Sequence, residues 1–126
     1  MKDFKKVAQE AVTDSFIMRG REAIKTDLVI AAYPAGITIV GADIINTTDS
    51  KTGEAKQYAA CIFAEDDTKY INGGSALTNI VREWSEGYET TEAMSADLKA
   101  AGGVKVKLSK EYSKNTGNPY VKVTVV

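Results

Sequence analysis

"GITIVGADIIN", residues 36–46, is where the chain changes period. Upstream, apolar residues recur at helical spacing. From Ile37 onward they alternate with a period of two, which predicts a β-strand turning one face inward. Gly41 stands in the middle of that strand. A glycine there has no side chain to pack and tolerates a kink, so it predicts a bulge or a sharp bend.

Downstream of this strand, "TTDSKTGEAK" (47–56) reads as a loop of ten polar or small residues, "QYAACIFAE" (57–65) as a second strand and "TKYING" (68–73) as a short third one closed by Gly73 and Gly74. Ser75 then offers an N-cap, and Ala76, Leu77, Ile80, Val81 and Trp84 make one apolar helical face. "TEAMSADLKAA" (91–101) predicts a second short helix that packs Met94 and Leu98 and stops at Gly102. The chain closes with "VKVKLSKEYSKNTGNPYVKVTVV" (104–126), two alternating strands joined around "SKNTGN". Upstream of the opening strand, Phe4, Val7, Ala8, Ala11 and Val12 have helical spacing, and that pattern breaks at Gly20. Thr26 is placed to cap a short helix over "DLVIAAY", which Pro34 ends.

The predicted order is strand, strand, strand, helix, strand, strand. Five strands with helices between the third and fourth is the order of the OB-fold barrel, here mainly β with α+β content. The expected domain is single, 1–126, with a helical N-terminal extension over 1–33 and the barrel over 37–126. A chain of 126 residues suits one domain with a core of its own.

Composition narrows the function. There is no histidine and a single cysteine, Cys61. That removes the Ser-His and Cys-His nucleophile pairs, the usual zinc sites and any internal disulfide. Cys61 lies in an apolar run and is expected to be a buried, inert thiol. The acidic run "AEDD" (64–67) could hold Mg²⁺ and a carboxylate-dependent nuclease through Asp66 and Asp67, but no second carboxylate motif stands at a telling distance, and a solvated loop is the plainer reading. "GG" before a helix lacks the Lys-Ser/Thr of a phosphate loop. The expectation is therefore no enzyme, no metal and no cofactor. The longest apolar stretch, "LVIAAYPAGITIVGA", is too short and too interrupted for a membrane span, and the charged N-terminus has no apolar leader core, so a cytoplasmic protein is expected.

Charge is uneven along the chain. Residues 1–26 carry six basic and four acidic side chains, a net of +2; residues 27–103 carry five and twelve, a net of -7; residues 104–126 carry five and one, a net of +4. A neutral total does not prevent a basic face, because binding responds to the local field.

Several stretches carry a family resemblance: "YPAGITIVGADI", the "Y…C.FAED" run at 58–66, "YINGGSALTNIVREW", "LKAAGGVKVKLS" and "KNTGNPYVKV". The chain from about Gly20 onward resembles a family of small proteins from phages and mobile elements of Gram-positive bacteria, regarded as OB-fold single-stranded-DNA-binding proteins. The resemblance implies an OB barrel and single-stranded DNA as ligand, with roles in DNA replication or recombination. Family members often carry a more aromatic "FFGG"-like segment where this chain has "YINGG", which leaves Tyr70 alone there. The acidic, phenylalanine-terminated tail of cellular single-strand binders has no counterpart in "VKVTVV", so that recruiting role is not expected.

Alternation sorts the closing strands. Val104, Val106 and Leu108 point one way, Lys105, Lys107 and Ser109 the other. Val121, Val123 and Val125 belong with the core, which leaves Tyr120, Lys122 and Thr124 outside. Paired as a hairpin, the two strands would gather Lys105, Lys107, Lys122 and Tyr120 on one outer face, with Lys110, Lys114, Asn115 and Asn118 in or beside the connecting loop. Lysines track phosphates and aromatics stack on bases, which is what sequence-tolerant single-strand binding needs. The plainer alternative is that lysine on an edge strand prevents edge-to-edge pairing. Tyr58 and Phe63 have opposite parity, and with Phe63 grouped with Cys61 in the core, Tyr58 is the stacking candidate on its strand. Tyr70 and Tyr112 could stack or cover the barrel, and Trp84 reads as core. Lys51 and Lys56 belong to the loop joining strands 1 and 2. The expected partner is single-stranded DNA. A protein-interaction module serving a replication or recombination enzyme is the second reading, favoured by the acidic middle of the chain, and the edge strands and N-terminal helix offer surfaces for a homo-oligomer.

Overall fold

The structure, a computed structural model, describes residues 15–48 and 51–126. The helix expected over residues 4–12 lies outside them. Among the described residues the elements run β1 (Glu22–Ala23), α1 (Thr26–Ala32), β2 (Ile37–Thr48), β3 (Ala55–Phe63), β4 (Lys69–Asn72), α2 (Ser75–Ser85), α3 (Thr91–Ala100), β5 (Val104–Tyr112) and β6 (Pro119–Val125). The strands form one curled sheet, a half-barrel in the order β1-β4-β3-β2-β5-β6. Within it β5 returns through the two helices to lie beside β2, and β2, β3 and β4 follow one another, which is a Greek-key order.

Where five strands were expected, the described sheet has six. The additional one, β1, is two residues long, paired parallel with β4 at Glu22↔Lys69 and Ala23↔Tyr70. Two residues carry no periodicity, so only the tertiary partner reveals it: the Ile24 N–H donates to the Tyr70 carbonyl at 2.9 Å and Lys69 pairs with the Glu22 carboxylate. The described part of the expected helical extension is thus a turn at 16–20, a strand and a seven-residue helix.

β2 is bent by a bulge. Ile39 pairs with Phe63 and Gly41 with Ile62, so Val40 is the extra residue. Before the bulge β2 pairs with β5 (Ile37↔Val106 to Ile39↔Val104), and after it with β3 out to Thr48↔Ala55. The β2–β3 pairing runs further than the sequence suggested, and Lys56 lies on β3 rather than in a loop. At the kink the Ser95 hydroxyl accepts from the Ala42 N–H (3.0 Å) and donates to the Ala42 carbonyl (2.9 Å), supplying partners for both backbone groups. A serine that reads as polar in the sequence is therefore the pin that holds α3 on β2.

The helices start one residue away from where the sequence placed them, or on another cap. Lys25 and Gly74 are the N-cap residues of α1 and α2, so Thr26 and Ser75 are their first helical residues and not their caps. Thr90 caps α3, accepting from the Ala93 N–H at 3.1 Å, worth about 1 kcal/mol. On α2 the buried residues are Leu77, Thr78 and Val81, with Ile80 and Trp84 half-buried and Ala76 exposed. Thr78 is inside because its hydroxyl accepts from the Ala59 N–H at 3.0 Å, tying helix to strand.

Side chains of β2 to β6 and the three helices meet in one core around Phe63, Ile37, Ile39, Ile71, Leu77, Val81, Val106 and Leu108. Tyr33 closes over Phe63 edge-on, ring centroids 5.7 Å apart. Glycines let β5 cross β2 closely: a Cβ at Gly36 would meet the Val106 carbonyl oxygen at 2.6 Å, and one at Gly103 the Ile39 carbonyl oxygen at 2.7 Å.

The sheet is left open along one seam. Among the described residues β6 pairs only with β5, and β4 has β1, not β6, on its far side. The Val126 N–H donates to Lys105, so by alternation Val121, Val123 and Val125 aim their backbone groups away from β5, towards the seam. Side chains of Ile71, Leu77, Leu108, Val121 and Val123 line what remains, a crevice of about 20 Å³. Among the described residues no helix is long and apolar enough to cross a membrane.

Candidate nucleic-acid interface

The β5–β6 register fixes which side chains share a face. Lys107 lies opposite Thr124, Ser109 opposite Lys122 and Glu111 opposite Tyr120, while Lys105 stands two residues before Lys107. Lys105, Lys107, Lys122 and Tyr120 therefore occupy one outer face. All four are exposed, Tyr120 by half of its surface. Glu111 is the acid on that face. Across the β2–β5 pairing Thr38 stands opposite Lys105, and its N–H and hydroxyl hold the Glu65 carboxylate at 2.7 and 3.1 Å. Lysines thus occupy the body of the face, with carboxylates at two of its borders.

Lys110 and Tyr112 belong to the opposite face. Lys110 pairs with Val121 and Tyr112 with Pro119, the parity of Val106 and Leu108. Lys110 lies within β5, not beside the loop, and its ammonium is 3.6 Å from the Asp27 carboxylate of α1. Tyr112 is 65% exposed, past the end of the core. Lys114, Asn115 and Asn118 are exposed in the turn between β5 and β6, which is closed by Ser113 and Asn118 (N–H to carbonyl, 2.9 Å) and by Gly117.

The lysines have different positions in the sheet. Lys122 is on β6, an edge strand. Lys105 and Lys107 are on β5, which β2 flanks only from Val104 to Val106, so Lys105 has a strand on each side and Lys107 has β6 alone. Protection of a sheet edge accounts for Lys122 and applies to Lys107 on its β2 side, but it has no bearing on Lys105.

The outer face of β2–β3–β4 is occupied. Ile45, Tyr58, Ala60, Ile62 and Tyr70 point outward there, and Phe16, Ile17 and Met18 pack on them. Ile17 is completely buried in this second apolar cluster. The segment is held at both ends: the Ser15 hydroxyl donates to Asp43 at 2.7 Å, and Arg21 donates to the Asp67 carbonyl at 2.7 Å and to the Ile17 carbonyl at 3.2 Å. Burial pushes the Tyr58 phenol above its ordinary value, and Tyr70 adds to the shift. Tyr58 and Tyr70 are thus half-buried packing partners on the face where stacking was expected. No local pattern in residues 15–18 announces this role.

A polar cleft of about 300 Å³ opens beside Tyr58, lined also by Gln57, Asn79 and Arg82. Gln57 accepts two hydrogen bonds from the Arg82 guanidinium, at 3.1 and 2.8 Å, and donates to Asn46 at 2.8 Å. Arg82 was absent from the sequence-derived site; its helical position three residues after Asn79 was the available signal. Lys51 and Lys56 lie at the far end of β2 from the β5 pairing, so the sheet does not set them beside the lysines of β5 and β6.

The acidic run has structural work of its own. Asp66 accepts from the Thr68 hydroxyl (2.6 Å) and N–H (3.1 Å), and Glu65 straps β2. Cys61 is fully buried, and burial pushes its thiol up to about 12. No protein-family model, curated protein or solved structure matches this chain.

Proposed function

We propose that this chain is an OB-fold protein that binds single-stranded DNA with little sequence preference, in the replication or recombination of a phage or mobile element. The fold reading is supported by the Greek-key order of β2 to β5, by the bulge in β2 and by the helices inserted before β5. The observation that carries the function is the exposed face of Lys105, Lys107, Lys122 and Tyr120, in which Lys105 lies between two bonded strands, where no edge needs guarding. In this reading the lysines follow the phosphates and Tyr120 stacks on a base, while the β2–β3 face is covered by the chain's own residues 16–18.

The test is fluorescence anisotropy of labelled oligo-dT at low and physiological salt, with duplex DNA as control. The expected result is selective, salt-sensitive single-strand binding. Lys105→Glu with Lys107→Glu should weaken it and flatten the salt slope by about 1.4, two phosphate contacts at roughly 0.7 each. Tyr120→Ala should weaken binding at high salt as well, since stacking is screened little. Absence of binding at low salt overturns the proposal. A larger loss in Arg82→Glu than in the lysine double variant moves the interface to the Tyr58 cleft.

A further inference from the structure

On the side of the molecule built by α2 and α3 lies an apolar cleft with no role in the reading above. Trp84, Tyr88, Met94, Leu98, Ala101 and Val104 line it, with Asp97 at its rim, and its volume is about 380 Å³. Trp84 and Tyr88 come from the end of α2 and the turn after it. Met94 of α3 is buried at the floor of the cleft, Leu98 is half-buried, and Ala101, the residue just past the helix, is exposed. Tyr88 is fixed at the mouth because its hydroxyl donates to the Asp97 carboxylate at 2.8 Å.

The chain around the cleft is mostly acidic. From Arg82 to Lys99 it carries five carboxylates, Glu83, Glu86, Glu89, Glu92 and Asp97, against these two basic residues at the ends of the stretch. All five are exposed. Among the described residues none of them forms an ion pair. Such a field disfavours nucleic acid and favours a cation-bearing ligand. The floor offers width and apolar surface with few hydrogen-bonding groups, which suits an amphipathic segment better than a small polar ligand. Methionine in the floor adapts readily to different apolar side chains.

We infer that the α2–α3 cleft is a docking site for a partner protein, taking a short amphipathic segment with apolar side chains on one face and lysines or arginines on the flanks. The two faces then divide the labour: the basic hairpin holds single-stranded DNA, and the acidic cleft holds a protein brought to it. Charge of opposite sign keeps each ligand off the other's surface.

The experiment is selection of a displayed random library, peptides of about 16 residues, on the immobilised full chain. Enriched peptides should share apolar residues at i, i+3 or i+4 spacing beside lysine or arginine. Synthesised without tryptophan, they should shift the emission of Trp84, the single tryptophan of the chain, in a saturable way. Ala101→Arg, at an exposed position at the end of α3, should weaken these peptides about tenfold or more and leave oligo-dT affinity unchanged. A circular-dichroism melt checks that this variant folds, and Glu89→Lys with Glu92→Lys gives a second route to the same loss. No enrichment, enrichment of acidic peptides, or full binding to both variants overturns the assignment. So does self-association of the protein that Ala101→Arg abolishes, because the cleft would then belong to a second copy. Loss of oligo-dT binding is not needed for any of these outcomes, so this inference and the DNA-binding proposal fail separately.

Discussion

Ile17 fills the notch that Gly41 leaves in the bulge of β2: its Cδ1 lies 3.4 Å from where a Cβ on Gly41 would stand, and Ile62 Cδ1 lies at 3.2 Å. A residue of the N-terminal segment and a residue of the first long strand are thus shaped to each other. Ile17→Ala should cost about 2–5 kcal/mol in urea denaturation, the range for emptying a fully buried aliphatic site. Relief of burial should also bring the Tyr58 phenol back towards its ordinary value, measurable by NMR titration. With the hairpin as the interface, oligo-dT affinity should hold; a large gain would mean that the uncovered β2–β3 face competes for DNA.

Gly36 and Gly53 both have positive φ, 117° and 72°, yet only the first has a neighbour in the way. Gly36→Ala should therefore lose about 2–3 kcal/mol, from the left-handed backbone and the Val106 carbonyl together. Gly53→Ala should lose only about 1 kcal/mol. Equal losses in denaturant midpoint would show that β5 yields at this crossing.

Glu111 faces Tyr120 across the hairpin and is the acid among the lysines of that face. Glu111→Lys should steepen the salt dependence of oligo-dT binding by about 0.7 and tighten it at low salt. Lys110→Ala, on the other face beside Asp27, should change the slope much less. Reversed sizes would place the DNA on the inner-parity side of β5.

Asp66 and Glu22 both hold their protons less tightly than usual, Asp66 through the Thr68 hydroxyl and N–H, Glu22 through Lys69. A carboxylate with a lowered folded value supports the fold above its unfolded value and loses that support as pH falls through the folded one. The acid side of the stability profile should therefore fall away below about pH 3.8 to 4.5, the ordinary values of the two groups. Lys69, raised by Glu22, contributes in the opposite window, with support lost as pH climbs past its ordinary 10.5. In a carboxyl-detected NMR titration Asp66 should titrate below 3.8, and Thr68→Val should shift it upward. An unshifted Asp66 in the native protein would contradict the bond to Thr68.

Parity in β5 and β6 was legible because a period of two needs no knowledge of the partner. It placed Lys105, Lys107, Tyr120 and Lys122 together, and the observed register puts them on one face. The same alternation assigns Lys110 and Tyr112 to the other side. Where the turn begins was harder, since no strand breaker precedes Ser113. The bulge at Gly41 was likewise visible as a glycine inside an apolar strand. Tertiary partners decide the remainder. β1 exists because β4 offers it an edge, Thr78 and Ser95 are buried because they bond to strand backbone, and Tyr58 is covered because Ile17 lies over its face. None of these has a signature within its own stretch of sequence.

The hairpin that carries the lysines is attached to the remainder of the sheet along one short line, the three residue pairs from Ile37↔Val106 to Ile39↔Val104. Among the described residues its other long border, on β6, has no strand bonded to it. On that border the hairpin is held by side chains instead, Val121 and Val123 packing against the core. In a closed barrel a second backbone ladder would hold the lysine face at one angle; in this half-barrel, among the described residues, that face is held on the β6 side by the packing of these two valines.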